Sequence, residues 1–299
     1  MPADKLNIVV GIATAGRREI LAQTVALLAE QTRLPDRLVI CPIAANDVDD
    51  LSFKNFPGPT AVVSGPVGLP AQRNKILLNV RDADVIVFFD DDYFPEVRYI
   101  ENLEKIFLAR PDVVGATGFL LADGATGPGL NAAKGLELVR AAPSSLGSLD
   151  ELTDWDSTYG CNMSFRLKTI IESGISFDEN LPLYGWQEDI DFSRRLHTYG
   201  RIVLSGMLRG VHLGIKLGRT SGVRFGYSQI ANPIYLTRKG SMPRRYANKI
   251  MWSNIAANVA RSLYPEPWVD RRGRLKGNLL ALVDLMRGRI SPTRILRLD

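Results

Sequence analysis

Three consecutive aspartates, Asp90, Asp91 and Asp92, follow directly after the apolar run at residues 85–89. Such a run of β-branched and aromatic residues predicts a buried strand. Alternate side chains of an extended chain share a face, so we expect Asp90 and Asp92 to converge while Asp91 points away. Converging carboxylates repel one another unless a cation neutralises them, and Mg²⁺ and Mn²⁺ prefer oxygen ligands. The pattern therefore predicts a divalent metal site.

The acidic turn has two other possible interpretations. It is also compatible with a solvated acidic turn that caps the following helix, because acids are favoured near a helix N-terminus. A phosphatase with an aspartate nucleophile is disfavoured, since its Asp-x-Asp-x-Thr/Val pattern is broken by Phe94 at the fifth position.

A second group of acids lies in the stretch YGWQEDID, residues 184–191. Glu188, Asp189 and Asp191 begin a helix predicted at 188–199, where acids commonly act as caps. Tyr184 and Trp186 precede them and offer an aromatic platform on which a sugar ring stacks. A carboxylate beside such a platform is a candidate general base for a hydroxyl.

His212, one of two histidines, follows a short apolar strand. A lone histidine is more often structural than a ligand, but the acidic turn elsewhere favours a metal-binding role. Basic residues follow His212 in the chain, and we expect the polar segment 221–231 to be mobile. Lys216, Arg219 and Arg224 are either a closing loop over phosphates or an ordinary solvated loop.

These side chains are positioned by alternating predicted strands (6–12, 37–41, 60–64 and 85–89) and helices (18–30 and 71–80). The alternation predicts a mostly parallel, Rossmann-like sheet with flanking helices. Ligands bind such sheets at the carboxyl ends of the strands, where ATAGRR (13–18) and the aspartates lie. Further along, the glycine-rich residues 115–135 suggest a loop or irregular hairpin, and 221–231 is polar and glycine-bearing.

The composition of the 299 residues, 45% hydrophobic and 23% charged, is that of an ordinary globular protein. The two cysteines show no zinc-site spacing, and we expect them to be reduced thiols. Neither a signal peptide nor an apolar run of about 20 residues is visible, so a cytoplasmic protein is expected, soluble or peripheral at the inner face of the membrane.

The charge is concentrated at the C-terminus, where residues 240–299 carry 12 Arg and Lys against four acids. Such a tail predicts an anionic partner. A helix predicted at 275–288 either lies on an anionic membrane surface or packs its apolar face on the core. Nucleic acid is disfavoured because the tail's aromatics are scattered and no nucleic-acid motif is present. The oligomeric state is left open.

Taken in order, these motifs resemble family 2 glycosyltransferases of the GT-A fold. The resemblance covers residues 6–213 and rests on the strand–ATAGRR–helix opening, GLPAQRNKIL (68–77), FFDDD, YGCNMSFR (159–166) and GWQEDID. It implies a nucleotide-diphosphate sugar as donor, Mg²⁺ or Mn²⁺ as cofactor and inversion at the anomeric carbon. The implied acceptor is a hydroxyl of a saccharide or lipid-linked saccharide, in bacterial surface-polysaccharide assembly.

The resemblance also implies a role for each matching residue. Asp92 and His212 would ligate the metal, and Asp189 would be the catalytic base beside Glu188. The remaining roles are nucleotide contacts by Thr14, Arg17, Arg73 (against the base), Asp90 (on the ribose side) and Asp91, and acceptor contacts by Tyr184, Trp186 and Asn162. The implied organisation is a nucleotide-sugar-binding half (1–95), an acceptor-binding and catalytic half of the same domain (96–230) and a basic helical C-terminal extension (231–299).

Two departures from the family pattern affect specificity. Pro42 stands where an aspartate often reads uracil, so Asn46 or Asp47 is the expected substitute. The Gln-x-x-Arg-Trp signature of processive synthases is absent, which implies one sugar added per encounter. The alternatives are a sugar nucleotidyltransferase, which needs a longer glycine-rich loop than ATAGRR, and a non-catalytic nucleotide-sugar or membrane-binding module, which the Glu188–Asp189 pair disfavours.

Overall fold

The structure, a computed structural model, describes residues 5–49, 53, 56–143, 147–216 and 220–298. The chain divides into two compact units. The first comprises Met1–Val67, Ala71–Ser176 and Phe192–Gly218, and the second comprises Gly68–Pro70, Phe177–Asp191 and Arg219–Asp299. The division expected at residues 95 and 230 is a partition by function, and it stays a prediction.

The first unit is built on a mixed β-sheet. Its strands within the described residues are β1 (Ile8–Thr14), β2 (Arg37–Pro42), β3 (Thr60–Val62), β4 (Val85–Asp90), β5 (Tyr93–Pro95), β6 (Val113–Asp123), β7 (Thr153–Asp154), β8 (Asn162–Arg166) and β9 (Arg201–His212). They are ordered β3-β2-β1-β4-β8-β6-β9-β5, with β7 paired to β9. Strands β2, β3, β4, β6 and β9 run in the direction of β1, and β5, β7 and β8 run against it. The predicted mostly parallel sheet is confirmed.

The centre of this sheet follows from continuous apolar runs. Strands β1, β2 and β4 read IVVGIAT, RLVICP and VIVFFD, and almost all of their side chains are buried. Parallel strands covered on both faces need such runs, since neither face meets water. All three strands end at one edge of the sheet, and β4 ends there on Asp90.

Within the described residues, the helices up to β9 include α1 (Arg18–Ala29), α2 (Leu69–Leu78), α3 (Tyr99–Ala109), α4 (Ala132–Arg140), α5 (Leu167–Ser173) and α6 (Glu188–Leu196). In α1, Leu21, Val25 and Leu28 recur at helical spacing and are buried, which anchors the helix that follows ATAGRR. The predicted α/β class with flanking helices is therefore confirmed.

The expected loop or irregular hairpin at 115–135 is wrong for most of its length. Strand β6 continues to Asp123, and α4 occupies Ala132–Arg140. The glycines allow close strand contacts here: a Cβ on Gly118 would lie 2.2 Å from the Leu208 carbonyl oxygen. Glycine in a strand marks a close backbone approach as often as a turn.

The second unit contains the C-terminal helices α7 (Gly222–Lys239), α8 (Arg244–Arg261) and α9 (Arg271–Met286) and a 3₁₀ turn at Pro292–Arg297. The expected helical extension is thus confirmed. Helices α8 and α9 begin several residues before the predicted starts at 250 and 275. Across the described residues, no helix combines the length and the apolar character needed to cross a bilayer.

The segment 221–231, expected to be mobile, is instead the first half of α7. Ser221 caps the helix by accepting a hydrogen bond from the Arg224 backbone N–H at 3.4 Å. Gly226 and Gly277 let α7 and α9 pack backbone to backbone, because a Cβ on either would lie 2.0–2.1 Å from a carbonyl oxygen of the facing helix. These glycines serve helix packing, so the prediction of a mobile segment from the polar, glycine-bearing residues 221–231 is wrong.

Candidate functional site

The acidic turn and His212 come together within the first unit because β4, β5 and β9 meet at one end of the sheet. Asp90 ends β4, and Tyr93 of β5 pairs with His212, the last residue of β9. Ligand atoms of Asp90, Asp92 and His212 all lie within 4.8 Å of one another. His212 Nε2 is 3.5 Å from Asp92 Oδ1 and 4.0 Å from Asp90 Oδ2.

Asp92 is buried and strongly stabilised as a carboxylate. Its Oδ2 accepts a hydrogen bond from the Ile215 backbone N–H at 2.7 Å and lies 3.1 Å from Arg17 Nη1. Burial by itself would raise the pKa of Asp92, but His212, Arg17 and Ile215 lower it to about 2. The other oxygen, Oδ1, is buried without a hydrogen-bond partner among the described residues. Among the described residues its polar contact is the ion pair with His212 Nε2 at 3.5 Å, and a buried carboxylate oxygen that accepts no hydrogen bond suits a metal ligand.

The orientation of His212 is set by Asp123, a residue that the sequence analysis did not identify. Its Nδ1 lies 2.9 Å from Asp123 Oδ1, and Tyr159 Oη donates to the other oxygen of Asp123 at 3.1 Å. Burial lowers the pKa of His212, but the Asp123 and Asp92 carboxylates outweigh it and raise the pKa to about 10. A histidine held through Nδ1 presents Nε2 to a metal, and metal and proton then compete for that atom.

The group Asp90, Asp92 and His212 fits a hard divalent cation. It offers two carboxylates and one imidazole, and one of the carboxylate oxygens has no hydrogen bond. Oxygen ligands suit Mg²⁺ and Mn²⁺. Mn²⁺, as a transition-metal ion, also binds an imidazole nitrogen. The donor set does not choose between the two ions.

Asp91 points away from the group, as the alternation of an extended chain requires. Its Oδ2 accepts from Thr14 Oγ1 at 2.7 Å, and its Oδ1 lies 3.0 Å from Arg17 Nη1. Burial raises the pKa of Asp91 to about 7, against the lowering effect of Arg17. Arg17 therefore bridges Asp91 and Asp92, and Thr14 anchors the end of β1 to this turn. The nucleotide contacts expected of these three residues stay predictions.

Arg73 is a hydrogen-bond partner of Asp90. Its guanidinium is buried, and Nη2 donates to Asp90 Oδ1 at 3.0 Å and to the Gly160 carbonyl oxygen at 2.8 Å. This contact fixes the orientation of Asp90 at the edge of the sheet. The expected packing of Arg73 against a nucleobase stays a prediction.

Asn162 and Asp47 both serve the backbone of neighbouring segments. Asn162 is fully buried, and its Oδ1 accepts from Thr117 Oγ1 and from the Gly118 N–H, each at 2.7 Å. The acceptor contact expected of Asn162 stays a prediction. Asp47 is buried and accepts from the Gly16 and Ala44 N–H groups, each at 2.8 Å. Of the two expected substitutes at the base-reading position, only Asn46 is exposed.

In the second unit, the aromatic residues expected to hold the acceptor lie in a loop of unusual backbone. Leu183, Gly185 and Gln187 all have positive φ, at 59°, 60° and 72°. Leu183 and Gln187 are the non-glycine residues with positive φ in the described part of the chain. Strained backbone of this kind persists where the surrounding structure holds it, and it clusters at functional sites.

Tyr184 and Trp186 both approach the ring of Phe225 in α7, with centroids 5.8 and 5.7 Å apart. The Asn232 side chain also donates to the Trp186 carbonyl oxygen at 2.8 Å. Tyr184 is exposed and Trp186 is half-buried. The second unit thus fixes an aromatic surface just before α6, and its contact with an acceptor stays a prediction.

The three acids at the start of α6 occupy different environments. Glu188 is buried, and Asp189 is half-buried with Oδ1 accepting from the Ile190 N–H at 2.9 Å. Asp191 is fully buried, and its Oδ2 lies 2.8 Å from Lys239 Nζ. Lys239 also pairs with Asp178 at 2.5 Å. Asp191 is therefore part of an internal ion cluster, which leaves Asp189 and Glu188 as the candidates for proton transfer.

The basic residues expected to close over phosphates have other partners. Lys216 Nζ donates to the Gly124 and Ala125 carbonyl oxygens at 2.9 and 3.0 Å. Arg224 lies within α7 and donates to the Leu298 carbonyl oxygen at 2.6 Å. Arg219 lies outside the described residues.

No protein-family model matches the chain, and no curated protein matches it in sequence. Solved structures do match. S. aureus TarS 1–349 in complex with UDP-GlcNAc is 12% identical, with a TM-score of 0.57 over 98% of this chain and 84% of that one. The mannosyltransferase PcManGT from Pyrobaculum calidifontis, in complex with GDP-Man and Mn²⁺, is 13% identical, with a TM-score of 0.51 over 99% and 86%.

GalNAc-T7, solved with UDP, GalNAc and Mn²⁺, is 15% identical, with a TM-score of 0.55 over 88% of this chain. This chain spans 58% of GalNAc-T7 and 44% of the longer TarS structure. At these identities the likeness concerns the fold. Together with the sheet order and the strand-end carboxylates, it shows that the chain has the fold of GT-A glycosyltransferases.

Proposed function

We propose that this protein is an inverting, metal-dependent glycosyltransferase that moves one sugar from a nucleotide-diphosphate sugar to a hydroxyl. The observation that carries the proposal is the buried Asp92 Oδ1, which has no hydrogen bond and faces His212 Nε2 at 3.5 Å. On a GT-A fold, this atom lies at the strand edge where ligands of α/β sheets bind.

The first unit supplies the donor site. Asp90, Asp92 and His212 would hold Mg²⁺ or Mn²⁺, and the bound ion would neutralise the negative charge of the leaving diphosphate. Arg73 and Asp123 keep Asp90 and His212 in position through their hydrogen bonds. The nucleotide lies along the ends of β1 and β2, with Asn46 as the exposed side chain available to the base.

The second unit supplies the acceptor side of the reaction. Tyr184 and Trp186 offer the aromatic surface on which a sugar ring stacks, with Phe225 packed against both. Asp189 takes the proton of the acceptor hydroxyl as that oxygen attacks the anomeric carbon. Attack from the face opposite the diphosphate inverts the configuration. Glu188, buried beside the base, orients it.

The acceptor that we propose is a saccharide, free or linked to a lipid, of the kind used in surface-polysaccharide assembly. The aromatic surface supports a sugar ring as the acceptor. Nothing in the donor set selects the transferred sugar.

The test is incubation of the full chain with a panel of UDP- and GDP-sugars and saccharide acceptors, in Mn²⁺, in Mg²⁺ and in EDTA. We expect release of a nucleoside diphosphate together with a glycosylated product of inverted configuration, and no release in EDTA. A parallel incubation with a nucleoside triphosphate and a sugar phosphate tests the alternative, and release of pyrophosphate there would identify a nucleotidyltransferase instead. Binding of nucleotide sugars without any turnover would identify a non-catalytic module.

A further inference from the structure

Helix α9 of the second unit packs Leu282 and Leu285 inward, but it also buries several polar residues and exposes several apolar ones. The residues on its buried side include Arg271, Asn278 and Asp284 together with Gly277 and Ala281. Its outward side carries apolar residues: Leu279 is 57% exposed and Met286 is 80% exposed. A surface helix ordinarily buries its apolar stripe and exposes its polar one. The outward stripe of α9 therefore calls for a partner other than water.

The polar side of α9 is buried because it has partners inside the unit. Asn278 Nδ2 donates to the Gly226 carbonyl oxygen at 2.7 Å, and its Oδ1 accepts from Asn258 at 2.9 Å. Arg271 pairs with Glu266 at 2.8 Å, and Asp284 accepts from Tyr227 at 3.0 Å. These bonds fix the rotation of the helix, so the exposed Leu279 and Leu280 cannot turn inward without leaving buried polar groups unpaired.

The outward stripe forms one wall of an open apolar groove of about 560 Å³. Besides two basic side chains, its lining includes Leu263 after α8 and, from α9, Leu275, Leu279, Leu280 and Val283. Leu263 is 73% exposed, and its neighbour Tyr264 is 90% exposed. Exposed apolar patches of this extent mark interaction sites. We call this groove and the adjoining exposed residues the α9 surface.

The charge of the α9 surface is positive. Arg272 and Lys276 line the groove, and among the described residues no carboxylate forms an ion pair with either. The nearby acids have other partners: Glu266 pairs with Arg261 and Arg271, and Asp284 with Arg289 and Arg294. Asp270 caps α9 by accepting a hydrogen bond from the Gly273 backbone N–H at 2.7 Å. The surface thus combines apolar side chains with cations that lack a counter-charge.

We propose that the α9 surface docks on an anionic phospholipid membrane. Its leucines and Tyr264 would enter the boundary between headgroups and acyl chains, and Arg272 and Lys276 would contact lipid phosphates, as interfacial amphipathic helices do. A second copy of the chain is a poorer occupant, because two-fold pairing would set the same unpaired cations against each other. This docking is independent of the proposed sugar transfer.

The test is co-sedimentation of the full chain with vesicles of phosphatidylcholine, with and without phosphatidylglycerol. Binding is expected only with the anionic lipid, and salt should weaken it because exposed charges are screened. Arg272→Gln with Lys276→Gln should lower vesicle affinity about 30-fold, at about fivefold for each basic residue near the surface. Leu279→Gln with Leu280→Gln should abolish sedimentation.

Matched controls lie on the first unit. Leu78→Gln and Lys168→Gln alter exposed residues of α2 and α5, and they should bind vesicles as the unaltered protein does. Circular dichroism confirms that each variant is folded. The proposal would be overturned by equal binding to neutral and anionic vesicles, or by no binding to either. It would also be overturned if the control variants lost as much vesicle affinity as the variants of the α9 surface. A dimer in sedimentation velocity that Leu279→Gln with Leu280→Gln dissociates would overturn it as well, since that result assigns the surface to a second copy.

Discussion

His212 and Asp123 are paired residues on the neighbouring strands β9 and β6, and their side chains meet at 2.9 Å between Nδ1 and Oδ1. The contact leaves Nε2 of His212 directed towards Asp90 and Asp92. Tyr159 holds the other oxygen of Asp123. The imidazole is thus oriented by residues that do not themselves belong to the proposed metal-binding group.

The first prediction concerns this outer contact. Asp123→Ala should weaken Mn²⁺ binding about 10- to 100-fold, the usual cost of removing a residue that orients a histidine ligand. Asp123→Asn keeps an oxygen acceptor, so its Mn²⁺ affinity should lie between that of Asp123→Ala and that of the unaltered protein. Titration calorimetry measures both, with the highly exposed Asp150→Asn as the control acid on the same unit. Unchanged Mn²⁺ affinity in Asp123→Ala would remove His212 from the metal site.

The second prediction separates the neighbours Asp91 and Asp92 by the same chemical change. Asp92→Asn should abolish Mn²⁺ binding and sugar transfer, because it removes a proposed ligand. Asp91→Asn should have a much smaller effect on stability and metal binding, because burial already raises the pKa of Asp91 to about 7 and Arg17 keeps its contact with Asp92. Its Mn²⁺ affinity should change little. Urea denaturation and calorimetry decide, and loss of metal in Asp91→Asn would contradict the assignment.

The parts of the fold that were predictable from sequence are those set by local pattern. The apolar runs of β1, β2 and β4 can only be buried strands, and the alternation within an extended chain predicts that Asp91 diverges from Asp90 and Asp92. The structure has both features. Neither depends on which distant segment packs nearby.

The parts that were not predictable depend on tertiary contacts. Asp123 has no local signal, because it becomes a partner of His212 only through the pairing of β6 with β9. Gly226 resembles a loop glycine until the Arg274 backbone is placed against it. The burial of polar residues in α9 has no local signal either, since burial of Asn278 requires Asn258 on another helix. In each case the role of the residue is set by a segment that is distant in sequence, so local pattern does not predict it.

The third prediction concerns the proposed base. Asp189→Asn should lower kcat at least about 10²-fold, the scale of general-base catalysis, while nucleotide-sugar affinity stays. Glu188→Gln should have a milder effect. Asp191→Asn should chiefly lower stability, because Lys239 then loses one of its buried partners. Steady-state kinetics on folded variants is the measurement, and a larger fall in kcat for Asp191→Asn would place the base at that residue.

The fourth prediction uses the strained residue before the acidic pair. Gln187 is buried with φ at 72°, and its Oε1 has no hydrogen-bond partner among the described residues. Gln187→Gly should be more stable than Gln187→Ala by about 1 kcal/mol, since only glycine adopts this conformation without cost. Both variants should lose sugar transfer if the amide contacts substrate. The reverse order of stability in urea denaturation would show that the backbone is unstrained.

The last prediction is a pH dependence in the second unit. Asp178 Oδ2 accepts from Tyr235 Oη at 2.8 Å and pairs with Lys239. Burial would raise the pKa of Asp178, but Lys239 and Tyr235 outweigh it and lower the pKa from 3.8 to about 2. A depressed folded-state pKa means that the carboxylate stabilises the fold fully above the unfolded value of 3.8. That contribution is lost as the pH falls through about 2.

Asp178→Asn lacks this contribution at every pH. The difference in unfolding free energy between the unaltered protein and Asp178→Asn should therefore shrink by about 1 kcal/mol between about pH 5 and about pH 3. Urea denaturation at the two pH values measures it, and Glu172→Gln, at an exposed position on α5, is the control whose difference should stay constant. A difference for Asp178→Asn that is constant or grows on acidification would mean that Lys239 and Tyr235 do not hold Asp178 ionised in the folded protein.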